Sequence, residues 1–344
     1  MKQFILPILM GATGCMVLVA CALALSLVVA HRRENVELLH ASFDSSREIL
    51  QAWHESISSS HLAAEWDNPH FRISNTSSAA QARSVRDGLP ADIVSLNFEP
   101  DWQILAKAGL VHPDWRSQLP GGKAPWYASL VLIVRKGNPH GIKDWEDLIT
   151  KPVSVIMPNP KTSGVARLAV LSFWEARKRA GNADSANKDL KLLCKKVPVF
   201  DPSMRSCTTT FVQKGIGDVQ ISWEPEAWLE IDQSAGQLEL IHPKLSFRIE
   251  PPIGMVAPIA NAKGTVNLVR HYLNWLYTEK AQKILAKHHF RPANEEQLLA
   301  HKIQFPQVQW LTINDIATDW NSAVDRFFSD NGLVDQALRE AAKK

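Results

Sequence analysis

Short apolar runs alternate with segments of helical periodicity, and this alternation constrains the fold of the chain more than any other feature. The runs that favour strands are residues 36–41, 93–96, 130–134, 153–157, 218–223 and 253–256. Apolar residues recur at helical spacing at Ile49, Leu50, Trp53 and Ile57, over residues 165–179 and over residues 266–287. Strands that alternate with helices predict an α/β fold with mostly parallel sheets.

The length of the chain predicts how many domains this fold contains. For 344 residues, a prior of about 150 residues per domain gives about two domains. Neither an internal repeat nor a low-complexity linker divides the sequence. We therefore expect two domains joined by strands that cross between them, rather than by a flexible tether.

The N-terminal segment predicts export. Residues 4–30 carry almost no charge, Lys2 precedes them, and Arg32 and Arg33 follow, which is typical of a signal peptide. Two alternatives stay open. Residues 18–21 resemble a lipoprotein cleavage box that leaves a lipid on Cys21, and the segment is long enough to span a bilayer as an uncleaved anchor. We interpret residues 1–30 as a signal peptide or an N-terminal membrane anchor, and every alternative places the globular part outside the cytoplasm.

Composition excludes several classes of function. The formal net charge is +3 and no stretch is a dense run of Lys and Arg, whereas nucleic-acid-binding proteins concentrate basic residues on one surface. Of the four cysteines, only Cys194 and Cys207 lie outside the N-terminal apolar segment. Two cysteines make neither a disulfide framework nor a structural zinc site. We therefore expect no nucleic-acid partner, no metal and no cofactor.

Hydroxyl-bearing residues stand where loops lead into helices. Such junctions occur at residues 44–48, 78–81, 160–167 and 206–211. We expect Ser45 with Glu48 to form a capping box, Ser78 and Ser163 to cap their helices, and Ser206 to open a shorter helical stretch. Free backbone N–H groups and the positive end of the helix dipole bind oxyanions at such starts. Alternatively, each residue only caps its own helix.

Several longer motifs carry a resemblance to a known family. They are residues 88–94, 134–139, 158–164, 208–213, 215–219, 287–292 and 328–332. In this order they resemble the periplasmic sulfate/thiosulfate-binding proteins of ABC importers. The resemblance implies a two-lobed periplasmic-binding-protein fold of class α/β, in which each lobe is a mostly parallel sheet flanked by helices. It implies lobe I at residues 31–134 plus 250–344 and lobe II at 135–249, with crossings near Leu132 and Ile253.

The resemblance also implies a function and a set of ligand-binding residues. A monomeric receptor of this family closes on sulfate or thiosulfate in the periplasm and delivers it to an ABC permease and its ATPase. The dianion is held without water, metal or a cationic side chain. By position in the motifs, the implied ligand-binding residues are Asp44, Ser78, Ser163, Gly164, Val165, Cys207 and Trp223, the last through its indole N–H.

Three departures from the family pattern predict weaker binding. The glycine-rich turn of the family is replaced by residues 75–80, a family glycine is replaced by Val165, and a family alanine by Cys207. Bulkier residues in place of glycine re-aim a turn or fill space, at a cost of ~1–3 kcal/mol. We expect sulfate affinity below that of a glycine-bearing relative by roughly the same amount.

Two other functions stay open at this stage. Cys207 lies at a predicted helix start, where a lowered thiol pKa would make it a nucleophile, although the sequence places no histidine beside it. The chain could also be an oxyanion sensor without a transport role, tethered through residues 4–30.

Overall fold

The computed structural model describes residues 36–59 and 69–343. The predicted signal or anchor segment, with Cys21, lies outside these residues. Over the described part of the chain, every helix is too short or too polar to cross a membrane.

The strands and helices alternate in the order that the sequence predicts. The strands are β1 (Glu37–Phe43), β2 (His70–Thr76), β3 (Ile93–Ser95), β4 (Trp126–Tyr127), β5 (Leu130–Arg135), β6 (Val155–Pro158), β7 (Phe200–Asp201), β8 (Val219–Trp223), β9 (Leu238–Ile241), β10 (Leu245–Phe247), β11 (Ile253–Met255), β12 (Arg291–Pro292) and β13 (Gln309–Leu311). The helices are α1 (Arg47–Ser58), α2 (Ser78–Arg86), α3 (Glu99–Lys107), α4 (Asp147–Thr150), α5 (Gly164–Ala180), α6 (Ala183–Lys196), α7 (Met204–Thr208), α8 (Glu224–Gln233), α9 (Ala257–Lys263), α10 (Val266–Trp275), α11 (Glu279–Lys287), α12 (Glu295–Ala300), α13 (Trp320–Phe327) and α14 (Leu333–Ala341).

Two sheets form the framework and confirm the α/β class. The first sheet has the order β11-β3-β1-β2, in which β1 runs parallel to β2 and β3, and β11 runs antiparallel to β3. The second sheet has the order β7-β6-β8-β5-β9. There β6 runs parallel to β7 and β8, whereas β5 runs antiparallel to β8 and β9. Helices that bury one face flank both sheets, as the periodicity predicts.

Strand β5 lies in the second sheet. The sequence analysis instead placed residues 130–134 at the end of lobe I. Leu130 to Val134 pair with Trp223 to Val219 of β8, and this ladder fixes β5 as a central strand. The chain leaves the first sheet earlier, where β4 pairs with β12 and Ala128 bridges to Ile249.

The C-terminal helices also lie with the second sheet, whereas the sequence analysis assigned residues 250–344 to lobe I. Helix α14 packs against α6, and Lys195 on α6 pairs with Glu340 on α14 at 3.1 Å. The ring of Phe327 on α13 meets the ring of Trp174 on α5, with centroids 5.0 Å apart. The chain returns to this side through β13, which runs parallel to β10 in a separate two-stranded sheet, and β10 contacts α5. The chain thus crosses between the two sides a third time, and the apolar faces of α13 and α14 are buried on the side of the second sheet.

The long helix predicted over residues 266–287 is divided into α10 and α11. Helix α10 ends at Trp275, and Thr278 begins α11 by accepting a hydrogen bond from the Ala281 N–H at 3.3 Å. Thr278 acts as an N-cap in extended conformation, so the apolar periodicity continues while the backbone turns.

Candidate functional site

A small cavity lies between the two sheets, at the carboxyl ends of their parallel strands. Its volume is about 30 Å³, which is room for about two water molecules, since one needs roughly 10–15 Å³. Its walls come from the turns that follow β1, β3, β6 and β7 and from the start of α2. The lining residues are Phe43, Asp44, Ser45, Ser77, Ser78, Asn97, Ser163, Gly164, Val165, Ser203 and Met204. The structure thus brings together five of the seven predicted ligand-binding residues.

The start of α5 forms the wall on the side of the second sheet. Ser163 is the N-cap, as predicted, and its hydroxyl accepts a hydrogen bond from the Ala166 N–H at 3.3 Å. The N–H groups of Gly164 and Val165 lie in the first turn, where a helix offers no internal acceptor. The 17-residue helix adds the positive end of its dipole at this point. The Ser163 hydroxyl keeps its own proton as a further donor.

Gly164 is also the closest approach between the two sides of the cavity. A Cβ atom at this position would lie 2.8 Å from Phe98 Cβ and closer still to Asn97 Oδ1. Phe98 and Asn97 follow β3 of the first sheet, whereas Gly164 follows β6 of the second sheet. The observed arrangement therefore requires glycine at 164.

On the side of the first sheet, the structure differs from two of the predicted helix caps. The segment Asp44–Ser46 is a short 3₁₀ turn that precedes α1, and Ser46 donates to the Phe43 carbonyl at 2.6 Å, so Ser45 and Glu48 form no capping box. Ser78 is the first residue of α2 and not its cap. Its hydroxyl instead accepts the Asn97 N–H at 3.3 Å. Ser45 and Ser78 nevertheless line the cavity, because their backbone N–H groups lie at a helix start.

A buried carboxylate and guanidinium lie behind Ser78. Asp101 is buried, and burial raises the pKa of its carboxyl, although the Ser78 hydroxyl and the Arg167 guanidinium act in the opposite direction. The closest nitrogen of Arg167 is 3.8 Å from Asp101. Arg167 also donates to the Pro160 carbonyl at 2.9 Å. It therefore supports the loop before α5 and is not among the residues that line the cavity.

The backbone N–H of Cys207, which the sequence predicts as a donor to the ligand, has an acceptor within its own helix. The N-cap of α7 is Ser203, three residues before Ser206, and its hydroxyl accepts the Ser206 N–H at 3.2 Å. The Cys207 N–H therefore bonds within the helix, to the Ser203 carbonyl at 3.2 Å. The donors that this shift leaves free of helical partners are the N–H groups of Met204 and Arg205.

Cys207 does not have the surroundings of a nucleophile either. Its side chain is fully buried in an apolar cluster with Val131, Ile133, Ile156 and Phe211. Burial, reinforced by the nearby carboxylate of Asp201, raises the pKa of its thiol. The reactive thiolate that a catalytic cysteine needs is therefore disfavoured.

Trp223 is a buried donor close to the cavity. It ends β8 and is completely buried, and its ring meets the ring of Phe43 with centroids 5.6 Å apart. Its indole N–H has no acceptor among the described residues. A buried tryptophan N–H normally finds a partner, so this group is available to a ligand atom, although Trp223 itself does not line the cavity.

Two larger cavities lack this arrangement. One of about 570 Å³ lies on the first-sheet side against Trp102, Trp115 and Arg270. The other, of about 250 Å³, lies by the crossing strands and is lined by ion-paired groups that include Arg116 and Glu250. Neither is lined by any of the predicted ligand-binding residues, so the small cavity is the candidate site.

Sequence reasoning missed several lining residues. Asn97 follows a buried strand, and polar residues after strands of a parallel sheet mark binding crevices, so this pattern could have predicted it. Ser203 stands three residues before another serine, and either one could cap the helix that follows. Met204 and Phe43 are apolar, and no chemical pattern singles them out.

Comparisons with known proteins agree on one family. Residues 52–291 match a family described as bacterial extracellular solute-binding protein. The thiosulfate-binding protein of Pseudomonas aeruginosa is 37% identical over 302 residues, which cover 87% of this chain and 91% of the relative. The sulfate-binding protein of Escherichia coli is 36% identical over 306 residues, which cover 88% of this chain and 93% of the relative.

A solved structure of a relative supports the same fold. The sulfate-binding protein SubI of Mycobacterium tuberculosis superposes with a TM-score of 0.75 at 30% sequence identity. The match covers 86% of this chain and 100% of SubI. The periplasmic-binding-protein fold that the motifs predict is thereby confirmed.

Proposed function

The chain belongs to the bacterial extracellular solute-binding protein family, and we propose that it captures a sulfate or thiosulfate dianion in the cavity between its two sheets. One observation carries the proposal. Residues that follow separate strands of both sheets, with Asp44, Ser78 and Ser163 among them, line a single small cavity, and its described lining residues include no Lys, Arg or His. The donors among these residues are backbone N–H groups and serine hydroxyls, with Asp44 contributing its backbone N–H, and neutral donors of this kind suit a dehydrated oxyanion.

The donors supply enough free energy to replace water around a dianion. Each hydrogen bond to a charged group contributes about 1.5–3 kcal/mol, and the first turn of α5 alone offers two N–H groups and the Ser163 hydroxyl. The N-termini of α2 and α5 add their dipoles from opposite sides of the cavity. The unpartnered N–H of Trp223 gains an acceptor if ligand closure brings an anion oxygen toward it.

We propose that the two sheets are the cores of two lobes that close on the ligand. Lobe I then comprises residues 36–128 and 250–308, and lobe II comprises residues 129–249 and 309–343, with the hinge at the crossing strands. A ligand that contacts both lobes stabilises the closed state by its differential contacts. The close approach of Gly164 to Phe98 marks how tightly the lobes meet.

The walls favour thiosulfate over sulfate. Phe43, Val165 and Met204 give the cavity an apolar part, and the Met204 sulfur is polarisable. Sulfate presents four equivalent oxygens, each of which needs donors. Thiosulfate presents one terminal sulfur, which is a weaker acceptor and loses less when it packs against apolar atoms.

Delivery to a membrane permease completes the proposed role. The relatives are named for binding sulfate or thiosulfate, and their family is extracellular. We propose that this chain works as a monomer on the outer side of the membrane and passes its ligand to an ABC permease driven by an ATPase. The similarity to these relatives supports a role in import rather than a role as a sensor without transport.

Isothermal titration calorimetry of the purified protein tests the proposal. Sulfate and thiosulfate should bind, with thiosulfate tighter, whereas nitrate should not compete. Ser163→Ala should weaken binding by about tenfold to a hundredfold, while Ser84→Ala, which removes an exposed hydroxyl from α2, should leave affinity unchanged. Absence of heat with both dianions, in protein that is folded by circular dichroism, would refute the proposal.

A further inference from the structure

A second, wider cavity adjoins the inner cavity on its solvent side. Its volume is about 360 Å³. It is lined by Asp44, Arg47, Ser203, Arg205, Ser206 and Thr209. Asp44 and Ser203 line the inner cavity as well, so the two cavities are neighbours. We call the wider one the outer cavity.

The outer cavity differs from the inner cavity in charge. Two guanidinium groups and the carboxylate of Asp44 line it, whereas the described lining of the inner cavity contains Asp44 but no cationic side chain. Arg47 is exposed and has no carboxylate partner within the described part of the chain. Three hydroxyl-bearing residues, Ser203, Ser206 and Thr209, stand beside the two arginines.

Arg205 connects the two sides of the cavity mouth. It lies on α7, beside the second sheet, and its Nη2 is 3.2 Å from Glu48 Oε1 on α1, beside the first sheet. Its Nε is 3.1 Å from Glu226, a buried carboxylate on α8. One guanidinium therefore bridges a fixed carboxylate on its own side and an exposed carboxylate on the opposite side.

We propose that the outer cavity is an anion-capture site, in which Arg47 attracts the hydrated dianion and Arg205 closes the mouth behind it. This inference rests on the proposed function, since the same anion passes through both cavities. The inner cavity has room for about two water molecules, so a dianion must lose its hydration shell before it enters. The outer cavity is wide enough to hold the anion while part of that shell remains.

The two arginines should affect different rate constants. A charged group at a cleft mouth raises the rate of association and is screened by salt. An ion pair that forms only when the mouth closes slows dissociation instead. Arg47 is exposed and has no described partner, so it should affect the association rate constant. Arg205 pairs with Glu48 across the mouth, so it should affect the dissociation rate constant.

Stopped-flow tryptophan fluorescence of the full protein, with sulfate or thiosulfate as the probe, separates the two roles. Arg47→Gln should lower the association rate constant about three- to tenfold at low ionic strength and flatten its salt dependence, with the dissociation rate constant unchanged. The matched control is Arg339→Gln, which removes the same charge from an exposed position on α14. Equal effects of the two substitutions would reduce the role of Arg47 to net charge and overturn the capture site.

Closure is tested by Arg205→Gln and Glu48→Gln. Each should raise the dissociation rate constant about two- to fivefold, and the double variant should show no further increase. Glu48→Gln leaves the contact between Arg205 and Glu226 in place, so it reports on closure even if Arg205→Gln disturbs folding. Unchanged dissociation in Glu48→Gln contradicts the closing role. Failure of the wild-type protein to bind either anion contradicts the proposed function itself, and with it the capture site.

Discussion

Replacement of Gly164 by alanine should separate ligand affinity from folding stability. Gly164 has no positive φ and occupies the first position of α5, where alanine is at least as good a helix former as glycine. The substitution should therefore leave the melting temperature of the free protein unchanged or slightly raised. The conflict arises only when the lobes meet, because the new Cβ would lie 2.8 Å from Phe98 Cβ and closer to Asn97 Oδ1.

The magnitude follows from the atoms that must move. Phe98 is buried, and its Cβ is fixed by the backbone, so it cannot rotate away. Insertion of one methyl group into such a contact costs about 1–3 kcal/mol, which corresponds to about a fivefold to 150-fold loss of affinity. The cost falls on the closed state alone and therefore appears in binding.

Calorimetry with thiosulfate and differential scanning calorimetry of the free protein measure the two quantities. Gly181→Ala is the control, since it adds the same methyl group at the opposite end of α5, where its Cβ would meet the Ser185 side chain and not Phe98, and it should leave affinity unchanged. Affinity of Gly164→Ala equal to that of the wild type would show that the lobes do not close to the observed distance. A large loss of thermal stability in the free Gly164→Ala protein would show that the steric conflict with Phe98 is not confined to the closed state.

Other substitutions test the cavity and the core. Val165→Gly should raise sulfate affinity by about tenfold, because it removes an apolar side chain from the wall and keeps the N–H; unchanged sulfate affinity in calorimetry would show that Val165 does not limit the cavity. Burial raises the pKa of Glu226 to about 7 and that of Glu230 to about 8, so the folded protein holds these protons more tightly than the unfolded chain. The melting temperature should fall as pH rises from about 4.5 through 8, and Glu230→Gln should flatten this slope; an unaltered slope would contradict the assignment. Arg291→Met leaves the carboxylate of Glu224 buried without its bidentate partner, now held at 2.6 and 2.7 Å, and should lower the free energy of unfolding by about 3–5 kcal/mol in urea denaturation.

Local patterns predicted the elements well, because each strand and helix depends on its own residues. The apolar run at residues 153–157 became β6, and the cap at Ser163 with the periodic segment behind it became α5, both close to their expected limits. Five of the predicted ligand-binding residues line one cavity, although the family motifs and not the spacing selected them.

Choices between competing local partners were harder to predict. Ser203 and Ser206 are both candidate caps for the same helix, and only the extended backbone at Ser203 decides which one caps it. A shift of three residues moved the free N–H groups from Cys207 to Met204 and Arg205. At Ser45 the chain leaves β1 through a 3₁₀ turn, a conformation that the capping-box pattern does not distinguish from the first turn of an α-helix.

Non-local packing explains why the proposed lobe boundaries differ from those expected from the sequence. The sequence of α13 and α14 shows that each has an apolar face, but it does not show which sheet receives that face. The contacts of Phe327 with Trp174 and of Glu340 with Lys195 decide for the second sheet. Such contacts join residues far apart in the chain, where periodicity carries no information.

The distribution of charge explains how the protein can hold a dianion and also release it. A guanidinium inside the inner cavity would be left buried and unpaired whenever the ligand departs, at a cost of several kcal/mol. Helix N–H groups and hydroxyls carry no net charge, so in the empty cavity only the smaller free-energy cost of desolvating neutral donors remains. Arg47 and Arg205 instead stand in the outer cavity, where water or the carboxylate of Glu48 stabilises them in the absence of an anion. Attraction at long range and coordination at short range are therefore carried by different groups, and opening of the lobes exposes the ligand without separating it from a buried cation.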